Sequence, residues 1–156
     1  MADTTEFGHD QLAHILADRL LEVPEFQRSY SWEAENVEVY LSDLDAARAK
    51  DVNYFMGTVV FAKASSANGR RQIVDGQQRL ATTAILLIAI RDALATRNEK
   101  RAAEELEKRY LRGYVLSQNE EVERLILNSE DLPAYTALLD GNEPVESHRI
   151  TNAYKT

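Results

Sequence analysis

The sequence predicts an α+β fold, a small sheet with surrounding helices and a largely helical C-terminal half, and three observations carry that expectation. Tyr54 to Ala64 and Arg70 to Val74 are rich in β-branched and aromatic residues and flank a polar turn, the pattern of a hairpin. After Gly76 the pattern switches to helical, with Ala84 to Ile90 apolar almost all the way round, which predicts a central buried helix. Helical spacing recurs toward both ends of the chain.

The elements follow in order. Leu12, Ile15, Leu16 and Leu20 fall at helical intervals and predict a first helix over His9 to Leu21, broken at Val23-Pro24 because proline disfavours helix in the residue before it. Glu25 to Trp32 reads as extended or looped. A second helix is expected from Glu33 to Ala49, capped by Ser31, with Val37, Tyr40, Leu41 and Leu44 in one stripe. In the first hairpin strand, Gly57 signals either a bulge or a close backbone approach to a ligand; Ser65 to Gly69 forms the turn. Asn98 to Ser117 reads as a charged helix with Glu104–Lys108 and Glu105–Arg109 pairs. Val122 to Leu127 is a further strand, and Leu132 to Leu139 a helix closed by Gly141.

Composition bounds the function. With 156 residues and 44% hydrophobic content the chain is long enough for one domain with a core. No apolar run approaches the ~20 residues of a membrane-spanning helix, and Met1 to Asp10 lacks the basic and apolar pattern of a leader, so the chain reads as cytoplasmic with no membrane partner. It has no cysteine, which excludes disulfides, thiolate metal sites and cysteine nucleophiles. A net charge of -8 argues against a surface that coats DNA generally, since such binding rests on Lys and Arg neutralising phosphates. Arg91, Arg97, Lys100, Arg101, Lys108, Arg109 and Arg112 are interleaved with Glu104, Glu105 and Glu107, the pattern of a solvated face rather than a DNA track. His9, His14 and His148 show no metal-ligand spacing. The segment Ser147 to Thr156, with Ile150, Ala153 and Tyr154 at helical spacing, stops without a cap and reads as part of a longer protein.

Chemistry concentrates in the turn after the second hairpin strand. Asp75 ends the strand, Gly76 permits a sharp turn, and Gln77, Gln78, Arg79, Thr82 and Thr83 open the buried helix. The free N–H groups of a helix start suit phosphate. Arg79, Thr82 and Thr83 are spaced to converge on one side, Gln77 and Gln78 can orient a water or read a base, and Asp75 can cap the helix or help hold magnesium. A second reading stays open on spacing alone: a capping Asp, solvated glutamines and an ion-paired arginine.

Three segments in order, Val23-Pro24-Glu25-Phe26-Gln27-Arg28-Ser29-Tyr30-Ser31-Trp32, Tyr54-Phe55-Met56-Gly57-Thr58-Val59-Val60 and Ile73-Val74-Asp75-Gly76-Gln77-Gln78-Arg79-Leu80-Ala81-Thr82-Thr83, resemble the signature blocks of the GmrSD-type N-terminal domain, domain of unknown function 262. The resemblance runs from about Leu12 to the end of the chain and departs from the family pattern at Ala81, where a threonine usually follows the leucine. It implies a ParB/sulfiredoxin-like core over about residues 8–95, a helical extension over about 96–156, and a place at the N-terminus of a modification-dependent restriction protein of the GmrSD and SspE kind. The implied activity is binding and hydrolysis of a nucleoside triphosphate, GTP or another, with Mg2+. The implied partners are modified DNA and a separate C-terminal His-Asn-His nuclease domain or subunit; this chain carries no nuclease motif of its own.

With that resemblance, Asp75, Gln77, Gln78 and Arg79 are the candidate catalytic residues, and Asp75 the candidate metal ligand. Gln27, Arg28, Gly57, Gly76, Arg79, Thr82 and Thr83 are candidates for nucleotide binding, with Arg28 completing a phosphate clamp. Tyr30 and Trp32 stand between two readings, stacking partners that sense a base or a modification, and core anchors. A non-hydrolytic ParB-like switch, or a DNA- or protein-interaction module, is the alternative function.

Overall fold

The computed structural model describes residues 10–65, 69–116 and 119–156. Helix α1 (Leu12–Asp18) buries Ile15 and Leu16 and ends where Arg19 turns extended. The expected helix ran on to Leu21, but Leu21–Glu22 instead forms the short strand β1; His9, its expected start, lies outside the described residues. Leu21 is fully buried at the centre of the sheet, its N–H donating to Arg124 O at 2.7 Å, so burial and hydrogen bonding on both flanks outweigh helical spacing at that point.

Helix α2 (Ala34–Ala49) turns Val37, Tyr40 and Ala47 inward. Its start is closed by a reciprocal box between Glu33 and Asn36 rather than by Ser31. The N-cap falls at Glu33, two residues beyond Ser31, whose N–H is bound to the Gln78 side chain.

Strand β2 (Val60–Ser65) pairs antiparallel with β3 (Arg71–Asp75), as the hairpin pattern predicts. The strand expected from Tyr54 starts only at Val60, since Gly57 adopts φ +91° and interrupts extended geometry. Most of the expected turn, residues 66–68, lies outside the described residues. Strand β1 lies parallel to β3 on one side and to a later strand on the other, giving a four-stranded sheet with mixed directions.

Helix α3 (Gln77–Thr96) crosses the centre of the molecule, with Leu80, Ala84, Ile85 and Ile88 buried. Helix α4 (Lys100–Leu106) passes into a π-helical turn (Glu107–Leu111), and the chain then forms a hairpin of β4 (Arg112–Val115) and β5 (Glu120–Glu123). The helix expected as far as Ser117 therefore ends before Arg112; Ser117 itself lies outside the described residues. A wider turn changes side-chain spacing, and neither expected Glu104–Lys108 nor Glu105–Arg109 ion pair forms among the described residues.

Strand β6 (Leu125–Ile126) completes the sheet beside β1. Helix α5 (Leu132–Leu139) has its expected bounds and ends with Gly141 at φ +68°, where Gly141 N–H donates to Leu138 O and Asn142 N–H to Ala137 O, closing the last turn. Helix α6 (Arg149–Lys155) buries Ile150 and Ala153, as its spacing predicts. One apolar cluster joins α1, the sheet, α3, α5 and α6. Among the described residues no helix is long and apolar enough to cross a membrane.

Candidate functional site

The start of α3 sets the site. Gly76 occupies the N-cap position at φ +88°, a left-handed conformation, and a Cβ there would stand 3.0 Å from Val59 Cγ2. No side chain caps the helix, and its first turn carries no acidic residue. The positive end of a 20-residue helix is therefore open to an anion. Asp75 is exposed beside this end and caps nothing, so the expected capping role is not realised.

The two glutamines reach sideways to the loop that follows Pro24. Gln77 Nε2 donates to Arg28 O at 2.8 Å. Gln78 Nε2 donates to Ser29 O at 3.3 Å while its Oε1 accepts from Ser31 N–H at 2.8 Å. Gln27 Nε2 donates to Val74 O at 2.9 Å, tying the same loop to the end of β3. Both ends of the Gln78 amide are thus occupied by backbone, whereas Gln77 Oε1 is buried with no partner.

Arg79 faces the other flank, donating from Nη2 to Thr58 O at 2.9 Å and from Nη1 to Met56 O. It lies over Gly57, where a Cβ would overlap Nη1. Gly57 is thus where the backbone makes room for Arg79.

Thr82 and Thr83 point away from this face. Both are buried, Thr82 Oγ1 lying 2.7 Å from Tyr30 Oη and Thr83 Oγ1 2.8 Å from Tyr40 Oη. Each threonine hydroxyl also donates to the carbonyl four residues back, Gln78 O and Arg79 O. The convergence expected of Arg79, Thr82 and Thr83 does not occur, because the helix turns the hydroxyls into the core while the guanidinium is drawn to residues 56–58. Tyr30 is likewise interior; burial pushes its phenol up to about 12, with the Thr82 hydrogen bond opposing. Trp32 is half-buried and meets the Tyr40 ring edge-on at 5.8 Å.

Between loop and helix start lies a cleft of about 440 Å³. Gln27, Arg28 and Trp32 line one side, and the run from Val74 to Arg79 lines the other. The Arg28 side chain is exposed and has no hydrogen-bond or ion-pair partner among the described residues. A free guanidinium, an uncapped helix start and an orphaned amide oxygen fit a phosphate group and a bound water. For a metal the fit is narrower. No group of three His, Asp or Glu gathers among the described residues, so a magnesium ion at Asp75 would take its other ligands from phosphate oxygens and water.

Residues 12–156 match the family model of the GmrSD restriction endonuclease N-terminal domain. The chain belongs to this family. The match embraces all three blocks that resemble GmrSD-type domains, and it also embraces a part of the site that lies outside them. Among curated proteins no match to the chain is found.

That further part of the GmrSD-type domain is the turn Asn128-Ser129-Glu130-Asp131, which packs against the back of the 25–31 loop, together with Arg149 of α6. Ser129 binds the Glu25 carboxylate through N–H at 2.9 Å and Oγ at 2.7 Å. Ser29 Oγ bonds Glu130, and Arg149 Nη1 donates to Ser31 O at 3.2 Å. Sequence reasoning passed over these residues. The available signal was a run of four polar residues directly before an apolar helix, which reads as helix punctuation unless its partners a hundred residues earlier are known.

Proposed function

We propose that this chain is the nucleoside triphosphate-binding and hydrolysing regulatory domain of a modification-dependent restriction protein, gating a His-Asn-His nuclease domain or subunit. One observation carries the reading: Arg28, whose side chain has no partner among the described residues, and Gln77, whose buried Oε1 has none, both line the cleft at the uncapped start of α3. The α3 N–H groups and Arg28 bind the phosphates from two sides, and Gln77 Oε1 accepts from a water and orients it toward the terminal phosphorus. Water oxygen bonds to phosphorus as the bridging P–O bond breaks, giving the diphosphate and inorganic phosphate, and the water proton leaves to phosphate or solvent. Asp75 would be the residue that holds a magnesium ion, which would supply neutralisation of phosphate charge. Modified DNA, sensed elsewhere in the longer protein, sets when hydrolysis releases the nuclease.

The rival is a non-hydrolytic switch, favoured by the fact that Asp75 is the single carboxylate and no histidine lies among the residues lining the cleft. Calorimetric titration of GTP, ATP, CTP and UTP with magnesium, followed by phosphate-release assays, separates the readings. Binding with turnover lost in Gln77→Ala supports the hydrolase; binding without release in wild type supports the switch; no binding by the intact protein overturns both.

A further inference from the structure

The 25–31 loop is held from two directions, and the Arg28 side chain in it has no hydrogen-bond or ion-pair partner among the described residues. On the cleft side Gln27, Gln77 and Gln78 fasten it to β3 and α3. On the far side Asn128 Nδ2 donates to Gln27 O at 3.2 Å, and Tyr30 N–H donates to Asp131 Oδ2 at 2.6 Å. Asn128 and Asp131 are 3% and 4% exposed, so each is a buried polar group aimed at loop backbone. Between their two contacts sits Arg28, whose carbonyl is bound by Gln77 and which lines the cleft.

We propose that Asp131 and Asn128 are positioning residues for the Arg28 guanidinium: by fixing the backbone before and after residue 28, they hold that cation ready for the phosphates of a nucleotide. The inference deepens the proposed function and rests on it. Arginine has many rotamers, and a cation on a loose loop would give up much of its attraction in ordering both backbone and side chain. With the backbone fastened at Gln27, Arg28, Ser29 and Tyr30, the side chain alone remains to be ordered. The work is done through Arg28, since neither Asn128 nor Asp131 lines the cleft.

The test is a double-mutant cycle read by calorimetric titration of GTP with magnesium and, separately, of inorganic tripolyphosphate. Asp131→Ala is expected to weaken both ligands about tenfold, within the range of coupling between residues sharing one network. Asp131→Asn is expected to restore most of the affinity, because its side-chain oxygen still accepts from Tyr30 N–H. In an Arg28→Ala background, Asp131→Ala is expected to add less than about twofold. Should Asp131→Ala fail to fold, Asn128→Ala completes the same cycle through the Gln27 contact. An equal penalty with and without Arg28, or no penalty at all in wild type, overturns this inference alone; wild-type protein that binds neither ligand overturns the functional reading and this inference with it.

Discussion

Arg79 and Gly57 interlock: the guanidinium lies where a side chain at position 57 would stand and bonds the carbonyls on either side, Met56 O and Thr58 O. Gly57→Ala is therefore expected to combine left-handed backbone strain, about 1–3 kcal/mol, with eviction of Arg79. Gly69→Ala, also at positive φ but with nothing within 4 Å of its Cβ position among the described residues, is expected to show the strain alone. Urea denaturation of both variants, and of Gly57→Ala with Arg79→Ala, checks this. A Gly57 penalty that does not shrink when Arg79 is removed contradicts the interlock.

The neighbouring glutamines should separate in what they do. Gln78→Ala leaves Ser31 N–H and Ser29 O without their partner and is expected to cost about 1–3 kcal/mol of stability. Gln77→Ala gives up one donated bond and relieves an orphaned oxygen, so its stability cost is expected to be the smaller, while phosphate release falls. Paired denaturation and turnover measurements decide; equal stability losses contradict the division of roles.

Arg28→Ala is expected to leave stability within about 0.5 kcal/mol of wild type, since the side chain is exposed and unpaired among the described residues. Triphosphate affinity is expected to fall roughly 10- to 100-fold, the worth of charge-assisted hydrogen bonds. Thermal melts beside calorimetric titration read both quantities in one variant.

Asp131 makes stability depend on pH in a defined direction. Burial holds its carboxyl above the usual carboxylate range, with the Tyr30 N–H bond and His148 opposing and Glu130 adding to the rise. For an acid raised in the folded state, the contribution to stability is full below the ordinary carboxylate pKa and is lost as pH climbs through the raised value. The stability of wild type relative to Asp131→Asn is accordingly expected to decline across that acidic window. Urea midpoints at a series of pH values test it, and a flat or rising difference contradicts the assignment.

Legibility from sequence followed the range of the interactions involved. Helices α3, α5 and α6 and the β2–β3 hairpin were readable because their signals, apolar helical faces, Gly141 and runs rich in β-branched and aromatic residues, lie within the elements themselves. The Asp75 to Arg79 turn was readable as a helix start, and the three ordered blocks marked the 25–31 loop. Three features were hidden for one reason. Leu21 leaves a helical pattern because β3 and β6 flank it, Thr82 and Thr83 turn inward because Tyr30 and Tyr40 meet them, and Asn128 to Asp131 matter because residues 25–30 lie behind them. Each depends on a partner distant in sequence, which local spacing does not encode.

The order in which a ribosome delivers the chain gives the Tyr30–Asp131 contact another meaning. These residues are 101 positions apart, and at about 5–20 residues per second the first waits several seconds for the second. During synthesis the loop that carries Arg28 thus lacks its Asn128 and Asp131 anchors until the turn at 128–131 has emerged, so nascent chains arrested before that turn are expected to be cut within 25–31 more readily than chains in which it has emerged. Newly made molecules would thereby gain a competent cleft late, after most of this domain is already built.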